Sequence, residues 1–442
     1  MSERDGQAPE AVPARATRAG ETSDRWSWVE PTVWTPRMLV ALEQGVKGGK
    51  WYSLMDKVYA PDTLEASFNE VAENKGAAGV DHVTIERFAR DRDANLKSLS
   101  EALRNGSYRP QAIRRHYIPK PGTQEKRPLG IPTVRDRVVQ TALRKVLEPI
   151  FERDFAAQSY GFRPQRGCKD ALRRVDELLK AGYIHVVDAD LKSYFDTIPK
   201  DRLLTLLKQK VVDGRILTLI EGFLEQSVLD GAREWTPEQG TPQGAVISPL
   251  LSNIYLDSLD HLMAQRGFEM VRYADDFVVL CRSRQEAEAA LVEVQQWTAS
   301  AGLTLHPTKT RVVNARKGFE FLGYRFAVGK RWPRDKSLRK FKDTIRAKTK
   351  RTSGHSLRGI ITDTNRTLRG WFEYFKHSHS TTFEPLDGWV RRRLRSILRK
   401  RHRGKSISHG YDHIKWPNAF FARHGLFSLQ QAYAQARQSS RR

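Results

Sequence analysis

Cysteine is nearly absent from this sequence of 442 residues, which contains only Cys168 and Cys281. A disulfide framework and a cysteine-rich zinc module are therefore excluded. The sequence also lacks any run of about 18 apolar residues, the length that a transmembrane helix needs, and its polar first residues lack the apolar core of a signal peptide. These absences predict an intracellular protein without a membrane segment, in the cytoplasm or associated with the nucleoid.

Acidic residues are few beside the basic ones. The 51 aspartates and glutamates are outnumbered by 76 lysines and arginines, which gives a formal net charge of +25. Such an excess favours a polyanionic partner, because each phosphate that a protein neutralises releases condensed counterions. The composition therefore predicts a nucleic-acid-binding protein rather than a generic basic protein.

Short strands alternate with helices from about residue 183 to residue 330, the pattern of an α+β fold. Within this region the stretch 271–280 reads VRYADDFVVL and places Asp275 and Asp276 between two apolar runs. Strands are depleted in aspartate, and neighbouring negative charges repel each other. A simple hairpin turn is one explanation for the two aspartates, and a metal site at the tip of a hairpin is the other.

A second pair of carboxylates favours the metal site. Residues 184–189 are typical of a buried strand, and since strand side chains alternate, Asp188 and Asp190 project from the same face. Carboxylates at a strand end and at a hairpin tip are ligands that Mg²⁺ or Mn²⁺ prefers. Two such ions promote in-line phosphoryl displacement by activating a 3′-hydroxyl and stabilising the leaving oxygen. With the basic composition, this pattern predicts nucleotidyl transfer on a nucleic acid.

Three motifs resemble, in their order and spacing, the reverse transcriptase/maturase proteins encoded by group II introns. They are DLKSYFD at 190–196, QGTPQGAVISPLLSNIYLD at 239–257 and YADD at 273–276. The resemblance extends over most of the chain. It implies an α+β right-hand polymerase with fingers, palm and thumb, an antiparallel sheet in the palm, and a basic helical RNA-binding region towards the C-terminus.

The resemblance also implies the catalytic residues. Asp190 and Asp275 would hold two Mg²⁺ or Mn²⁺ ions, with Asp276 adjacent and supporting them. Asp188 is a weaker candidate, for which a purely structural carboxylate is the alternative. Lys309 lies in a loop that resembles the one near the leaving pyrophosphate, and we expect it to act as a general acid or as a plain electrostatic stabiliser.

Five residues are assigned to the dNTP site by the same resemblance. Lys120 and Arg127 flank a Pro- and Gly-rich loop suited to binding a triphosphate. Gln243 and Gly244 line the nucleotide site, and Phe195 excludes a ribose 2′-hydroxyl, which implies dNTPs rather than rNTPs. The alternatives are a solvated charge cluster for the basic pair, a loop-to-helix turn for the Gln-Gly pair and ordinary core packing for Phe195.

Three further stretches carry expectations. Residues 159–167 read SYGFRPQRG, which suits template stacking and phosphate contact. Ser248 and Pro249 predict the N-cap and the first position of a helix. Residues 319–325 alternate like a single strand and resemble the segment that grips the primer end.

The last third of the chain is basic and helical. Apolar residues recur at helical spacing in 368–375 and 386–398 and predict stripes that face the core. The stretch 390–405 contains no acidic residue, which predicts a surface that tracks the phosphates of RNA, DNA or both. The expected nucleic-acid contacts are Arg391, Arg392, Arg393, Arg395, Arg399, Lys400, Arg401 and Arg403.

The predicted domain boundaries follow from the motifs and the changes in composition. They are 1–35 for a flexible tail, 36–182 for an N-terminal extension and the fingers, 183–330 for the palm, 331–380 for the thumb or maturase segment and 381–442 for the basic C-terminal region.

The sequence predicts an RNA-directed DNA polymerase that adds dNTPs to a DNA primer on an RNA template and, as a maturase, binds its parent group II intron RNA in splicing and retrotransposition. The alternatives are a domesticated relative in DNA repair or antiviral defence and a splicing cofactor with a vestigial polymerase. Many relatives end in a metal-binding DNA endonuclease, and the late part of this sequence lacks the cysteine pair expected for one. We therefore expect the primer to come from another source, such as a nascent DNA strand. No pattern indicates the oligomeric state.

Overall fold

The computed structural model of the protein describes residues 24–119, 126–404 and 410–439. The described residues form two compact units, and the chain passes from the first to the second between Val312 and Val313. Lys120, a predicted triphosphate contact, lies outside the described residues.

Helices surround two sheets in the first unit. Side-chain caps start several of the helices; Thr133, for example, accepts a hydrogen bond from the backbone N–H of Asp136, and Ser283 accepts one from that of Glu286. The helices are α1 (Pro36–Gln44), α2 (Met55–Tyr59), α3 (Pro61–Glu73), α4 (Ile85–Arg90), α5 (Arg92–Arg104), α6 (Val134–Glu152), α7 (Cys168–Lys180), α8 (Tyr194–Thr197), α9 (Lys200–Lys208), α10 (Gly214–Leu224), α11 (Ser248–Gln265) and α12 (Arg284–Ser300).

The first sheet has the strand order β2-β1-β4-β5. Its strands are β1 (Ile113–Pro119), β2 (Lys126–Ile131), β4 (Val228–Asp230) and β5 (Arg233–Trp235), while β3 (His185–Asp190) belongs to the other sheet. β1 pairs antiparallel with β2 and parallel with β4. The sheet therefore joins a segment predicted to lie in the fingers to one predicted to lie in the palm.

The second sheet has the strand order β6-β7-β3-β8, with β6 (Glu269–Tyr273), β7 (Asp276–Cys281) and β8 (Arg311–Asn314). β7 pairs antiparallel with both β6 and β3. Residues 277–281 of β7 are fully buried, because α7, α11 and α12 pack against the sheet. This is the antiparallel, helix-backed palm that the motifs imply.

The start of the described chain corrects one prediction. Residues 24–35 were expected to belong to a flexible tail, but Trp26 and Trp34 are 2% and 1% exposed. The Trp34 indole N–H donates to the carbonyl of Lys145 in α6 at 3.0 Å. Two large aromatic rings in a polar stretch are better explained by core packing than by disorder, because burying them stabilises the fold.

The second unit combines a small sheet with helices. The apolar stripes of 368–375 and 386–398 lie in its core, as predicted; Leu368 and Leu394 are fully buried. Its elements are β9 (Phe319–Phe321), β10 (Tyr324–Ala327), β11 (Lys330–Pro333), α13 (Asp335–Lys348), α14 (Leu357–Phe375), α15 (Phe383–Arg401), α16 (Gly410–Lys415), α17 (Asn418–Arg423) and α18 (Leu429–Ser439), with the strand order β11-β10-β9.

The predicted single strand over 319–325 is wrong, because the chain reverses within it. Phe321 pairs with Tyr324 across antiparallel strands, which leaves Leu322 and Gly323 as the turn. Both have positive φ angles, 45° and 81°, the signature of a type I′ hairpin. Alternation of apolar residues continues through such a turn, so the pattern alone conceals it.

Across the three described ranges, no helix combines the length and the apolar composition needed to cross a lipid bilayer.

Candidate active site

The YADD motif forms the turn between β6 and β7. Tyr273 pairs with Asp276, so Ala274 and Asp275 are the two central residues. Ala274 has a φ of 59°, and a positive φ at the first central residue is typical of the two-residue turns whose twist matches that of a hairpin. The left-handed conformation costs an alanine about 1–2 kcal/mol, so neighbouring groups have to hold it.

Strand β3 brings the start of the DLKSYFD motif beside this turn. Asp190 pairs with Asp276 across the antiparallel strands, and at such positions the two Cα atoms lie about 4.5–5.5 Å apart. Burial raises the pKa of Asp275, and the negative charge of Asp190 raises it further, whereas Arg127 and Arg272 lower it. The structure thus brings together two like charges, which a cation would stabilise as anions.

Asp190 and Asp275 fit a divalent cation by their donor chemistry. Both offer carboxylate oxygens, which hard cations prefer. Among the residues that the structure describes, no group of three or more His, Cys, Asp or Glu side chains forms a complete metal cage. Water and substrate phosphate oxygens would therefore complete the coordination shell, as is usual for Mg²⁺.

The predicted Lys309 lies directly at Asp190. Its Nζ donates to Asp190 Oδ2 at 2.6 Å. Backbone hydrogen bonds bring the lysine loop there: the N–H of His306 donates to the carbonyl of Asp190 at 2.7 Å, and that of Lys192 donates to the carbonyl of Thr304 at 2.8 Å. In this arrangement Lys309 and a divalent cation would compete for one carboxylate.

Asp188 lies two residues before Asp190 in β3, further from the turn, and projects from the same face of the strand. The Arg311 Nε atom is 3.7 Å from its carboxylate. An ion pair of this kind does not separate a metal ligand from a structural carboxylate, so both alternatives for Asp188 stay predictions.

A buried ion pair supports the turn. The sequence analysis did not predict it. Arg272 and Asp260 are both fully buried, and the Arg272 Nε donates to Asp260 Oδ1 at 2.8 Å. The Arg272 Nη1 also donates to the carbonyl of Ala274 at 2.9 Å and to Asn253 Oδ1 at 3.0 Å. The available signal was an arginine inside an apolar strand, which requires a buried carboxylate partner.

The SYGFRPQRG segment lies against the same turn. The N–H of Tyr160 donates to the carbonyl of Arg272 at 2.8 Å. A side chain on Gly161 would place its Cβ 2.2 Å from the backbone nitrogen of Ala274, so only glycine fits there. Phe162, which is 45% exposed, has its ring 6.5 Å from those of both Tyr273 and Phe195. This places an exposed aromatic ring beside the YADD hairpin.

The predicted nucleotide-binding residues other than Lys120 lie on the elements around this hairpin. Phe195 is partly buried against the core, and Arg127 is exposed on β2 close enough to affect the pKa of Asp275. Gly244 has a φ of 105°, and a Cβ on it would lie 2.4 Å from the carbonyl oxygen of Gly130. The glycine is therefore required for the loop to pack on β2. The Gln243 amide Nε2 donates to Asp196 Oδ2 at 3.2 Å.

The helix after this loop begins one residue earlier than predicted. Ser248 is the first residue of α11 and not its N-cap, which is Ile247. The Ser248 hydroxyl instead donates to the carbonyl of Pro242 at 2.8 Å, where it fastens the loop that carries Gln243.

The predicted nucleic-acid contacts on α15 do not form one uniform surface. Arg392, Lys400, Arg401 and Arg403 are exposed, and Arg391, Arg393 and Arg399 are partly exposed. The prediction is wrong for Arg395, which is 1% exposed and donates to the carbonyl of Trp416 at 2.9 Å. A helix that packs on a core buries one of its faces, so a continuous run of basic residues cannot be exposed along its whole circumference. Arg395 lies on the buried face of α15.

Comparison with known proteins gives two family matches. Residues 118–326 match the model described as "Reverse transcriptase (RNA-dependent DNA polymerase)", and residues 338–416 match "Group II intron, maturase-specific domain". Protein YkfC of Escherichia coli K12 is 33% identical over 313 residues, which cover 62% of this chain and 82% of YkfC. The chain belongs to the group II intron reverse transcriptases.

Another relative in this family is the group II intron-encoded protein LtrA of Lactococcus lactis subsp. cremoris. It is 38% identical over 207 residues, which cover 46% of this chain and 34% of LtrA, so the chain spans about a third of that relative. A chain of the solved "Partial Cas6-RT-Cas1--Cas2 complex" covers 58% of this chain and 43% of its own length at 24% identity, with a TM-score of 0.37.

Family membership confirms the predicted fold class and enzyme class. This group II intron reverse transcriptase is an RNA-directed DNA polymerase with a maturase domain. Reverse transcriptases in general use divalent metal ions, which agrees with the carboxylates found at the hairpin.

Proposed function

We propose that this protein extends a DNA primer with dNTPs on an RNA template, with Mg²⁺ bound at Asp190 and Asp275, and that it binds its parent group II intron RNA. The observation that carries the proposal is the pairing of Asp190 with Asp276 next to the Asp275 turn. It brings carboxylates from two distant motifs to one point, where their shared negative charge requires a cation.

The side chains around the carboxylates suggest how the reaction is organised. A bound divalent ion would supply the charge that activates the primer 3′-hydroxyl and stabilises the leaving oxygen. Arg127, whose charge acts on Asp275, is placed to bind triphosphate oxygens bidentately. Lys309, now 2.6 Å from Asp190, would turn to the pyrophosphate once a metal ion takes that carboxylate. Phe195 would exclude a ribose 2′-hydroxyl.

Primer extension tests the polymerase proposal directly. Purified protein is given an RNA template annealed to a DNA primer, with dNTPs or rNTPs and with Mg²⁺, Mn²⁺ or a chelator. We expect extension with dNTPs and Mg²⁺, loss of extension with the chelator, and at least about tenfold slower use of rNTPs, the size of effect that one steric contact produces. Equal use of rNTPs would contradict the role of Phe195, and no extension with either metal would contradict the polymerase proposal.

The proposed RNA-binding surface consists of the exposed basic residues of α15 and the turn after it, Arg392, Lys400, Arg401 and Arg403. They lie within the residues that match the maturase model.

We also propose the predicted division of the chain into fingers, palm and thumb. One boundary changes: residues 24–35 are not part of a tail, because they pack in the core of the first unit.

The double variant Arg392→Ala/Lys400→Ala should weaken RNA binding through charge alone. Each lost phosphate contact reduces the slope of log K against log salt by about 0.7–0.9, so we expect a total reduction of about 1.5. The measurement is RNA binding by filter assay from low to high salt. The matched control is Arg284→Ala/Lys208→Ala, two exposed basic residues of the first unit. An unchanged slope in the α15 variant would exclude this surface.

A further inference from the structure

A cavity of about 210 Å³ lies in the first unit and is bordered by the Gln243 side chain. Asp196 also lines it, together with Arg115, Gln226, Thr241 and Trp235. Gln226 and Thr241 are 5% and 1% exposed, and the Gln226 Oε1, the Thr241 Oγ1 and the Arg115 Nε have no hydrogen-bond partner among the described residues. Buried polar atoms without a partner are uncommon in folded proteins, and these three belong to residues that line the same cavity as Gln243.

The loop that carries Gln243 is fixed to the motif that carries Asp196. The N–H of Thr241 donates to the carbonyl of Phe195 at 2.7 Å, and that of Gly240 donates to the carbonyl of Ile198 at 2.8 Å. Gly240 has a φ of 91°, and a Cβ on it would lie 2.6 Å from the carbonyl oxygen of Phe195. These backbone hydrogen bonds and the close fit of Gly240 hold the two segments together, so the backbone brings residue 243 next to residue 196.

The hydrogen bond between the two side chains has a defined direction. The Gln243 Nε2 donates to Asp196 Oδ2 at 3.2 Å, and an ionised carboxylate can only accept. The amide NH₂ group must therefore face Asp196, which leaves the Gln243 Oε1 on the opposite side. If residue 196 could also donate, the amide could turn over and present its NH₂ group instead.

Arg115 lines the same cavity as Asp196 and places a positive charge there. Burial raises the pKa of Asp196, and Arg115 lowers it, so the arginine favours the accepting form. Its guanidinium lies 5.5 Å from the centre of the Trp235 ring, and Arg233 lies 5.2 Å from the same ring. The hairpin of β4 and β5 thus holds the cation that acts on Asp196, through cation–π contacts.

We propose that Asp196 and Arg115 are positioning residues that fix the orientation of the Gln243 amide, so that Gln243 presents an oxygen acceptor to a hydrogen-bond donor of the incoming nucleotide. The inference rests on the proposed polymerase function, in which Gln243 lines the nucleotide site. Neither positioning residue has to touch the substrate.

Exchanging the carboxylate of residue 196 and the amide of residue 243 tests the proposed orientation of the Gln243 side chain. Gln243→Glu alone places a second carboxylate against Asp196, and we expect the KM for dNTPs to rise about 100-fold. Asp196→Asn alone allows the amide to turn over, and we expect a KM increase of about tenfold with kcat within about twofold of wild type. In Asp196→Asn/Gln243→Glu, the asparagine donates to the new carboxylate, whose other oxygen still accepts, so the KM should return to within about tenfold of wild type.

Three outcomes separate the inference from the proposed function. Rescue of Gln243→Glu by Asp196→Asn supports the orientation, because a residue with a merely structural role has no reason to correct the charge change. An active wild type in which the double variant is no better than Gln243→Glu would overturn the inference alone. An inactive wild type would overturn the proposed function and the inference together.

Two further variants test the role of Arg115 and provide a matched control, and thermal unfolding checks that each variant is folded. Arg115→Gln keeps a side chain of similar length without the charge, and it should raise the KM about as much as Asp196→Asn; an unchanged KM would overturn the role of Arg115. Asp201→Asn, at an exposed position in the first turn of α9, is the matched control and should leave KM and kcat unchanged. Thermal unfolding of every variant identifies any that are not folded, and the KM comparison is then made among the folded ones.

Discussion

Replacing Asp275 by asparagine is expected to slow primer extension by about 1,000-fold or more, and Asp190→Asn is expected to do the same. Asparagine keeps the shape of each side chain but removes the charge that holds a metal ion. Loss of a single group that stabilises developing charge in a transition state costs about 100- to 1,000-fold, and loss of a metal ligand removes the activation of both the attacking and the leaving oxygen. The measurement is single-turnover extension at saturating dNTP and Mg²⁺.

Two controls make this result specific to the carboxylates. Affinity for the primer–template should change by less than about threefold in both variants, since phosphate contacts dominate binding to nucleic acid. Asp201→Asn removes an exposed carboxylate of the same unit and should keep the wild-type rate. If either site variant retained more than about a tenth of the wild-type rate, the proposed metal site would be wrong.

Arg272→Leu is expected to lower the free energy of unfolding by about 3–5 kcal/mol, because it leaves the fully buried Asp260 carboxylate without its partner. It also removes the hydrogen bond to the carbonyl of Ala274, which helps to hold the left-handed residue in the catalytic turn. We therefore expect weak extension even at temperatures where the variant is folded. Urea unfolding, followed by a signal from the first unit, measures the stability.

A double variant separates stability from the geometry of the turn. Arg272→Leu/Asp260→Leu replaces both charges by apolar groups, which is often close to neutral for stability, so it should be more stable than either single variant. Its extension rate should stay low, because the Ala274 carbonyl still lacks its donor. Arg284→Leu, which breaks the exposed pair with Glu288, should cost less than about 1 kcal/mol. Wild-type activity in the double variant would show that Arg272 does not position the turn.

The errors of the sequence reading share one physical origin. Alternation of apolar residues predicted one strand over 319–325, yet a type I′ turn at Leu322 and Gly323 preserves the alternation and reverses the chain. The charge run on α15 predicted eight contacts, yet Arg395 points into the unit. The polar composition before residue 35 predicted a tail, yet Trp26 and Trp34 are buried in the core. In each case a local pattern was correct, and the environment that the rest of the chain supplies changed its meaning.

The sequence by itself determined the family and the enzyme class, because a polymerase motif needs particular side chains at particular spacings: Asp190, Gln243 and the YADD turn are recognisable without coordinates. Only the tertiary structure decided what surrounds them. The Arg272–Asp260 pair joins a strand to the helix before it, and the fit of Gly161 against Ala274 and the relation of Arg115 to Asp196 and Gln243 join segments far apart in the chain. Hydrogen bonds and desolvation depend on distance in space, which a one-dimensional pattern does not contain.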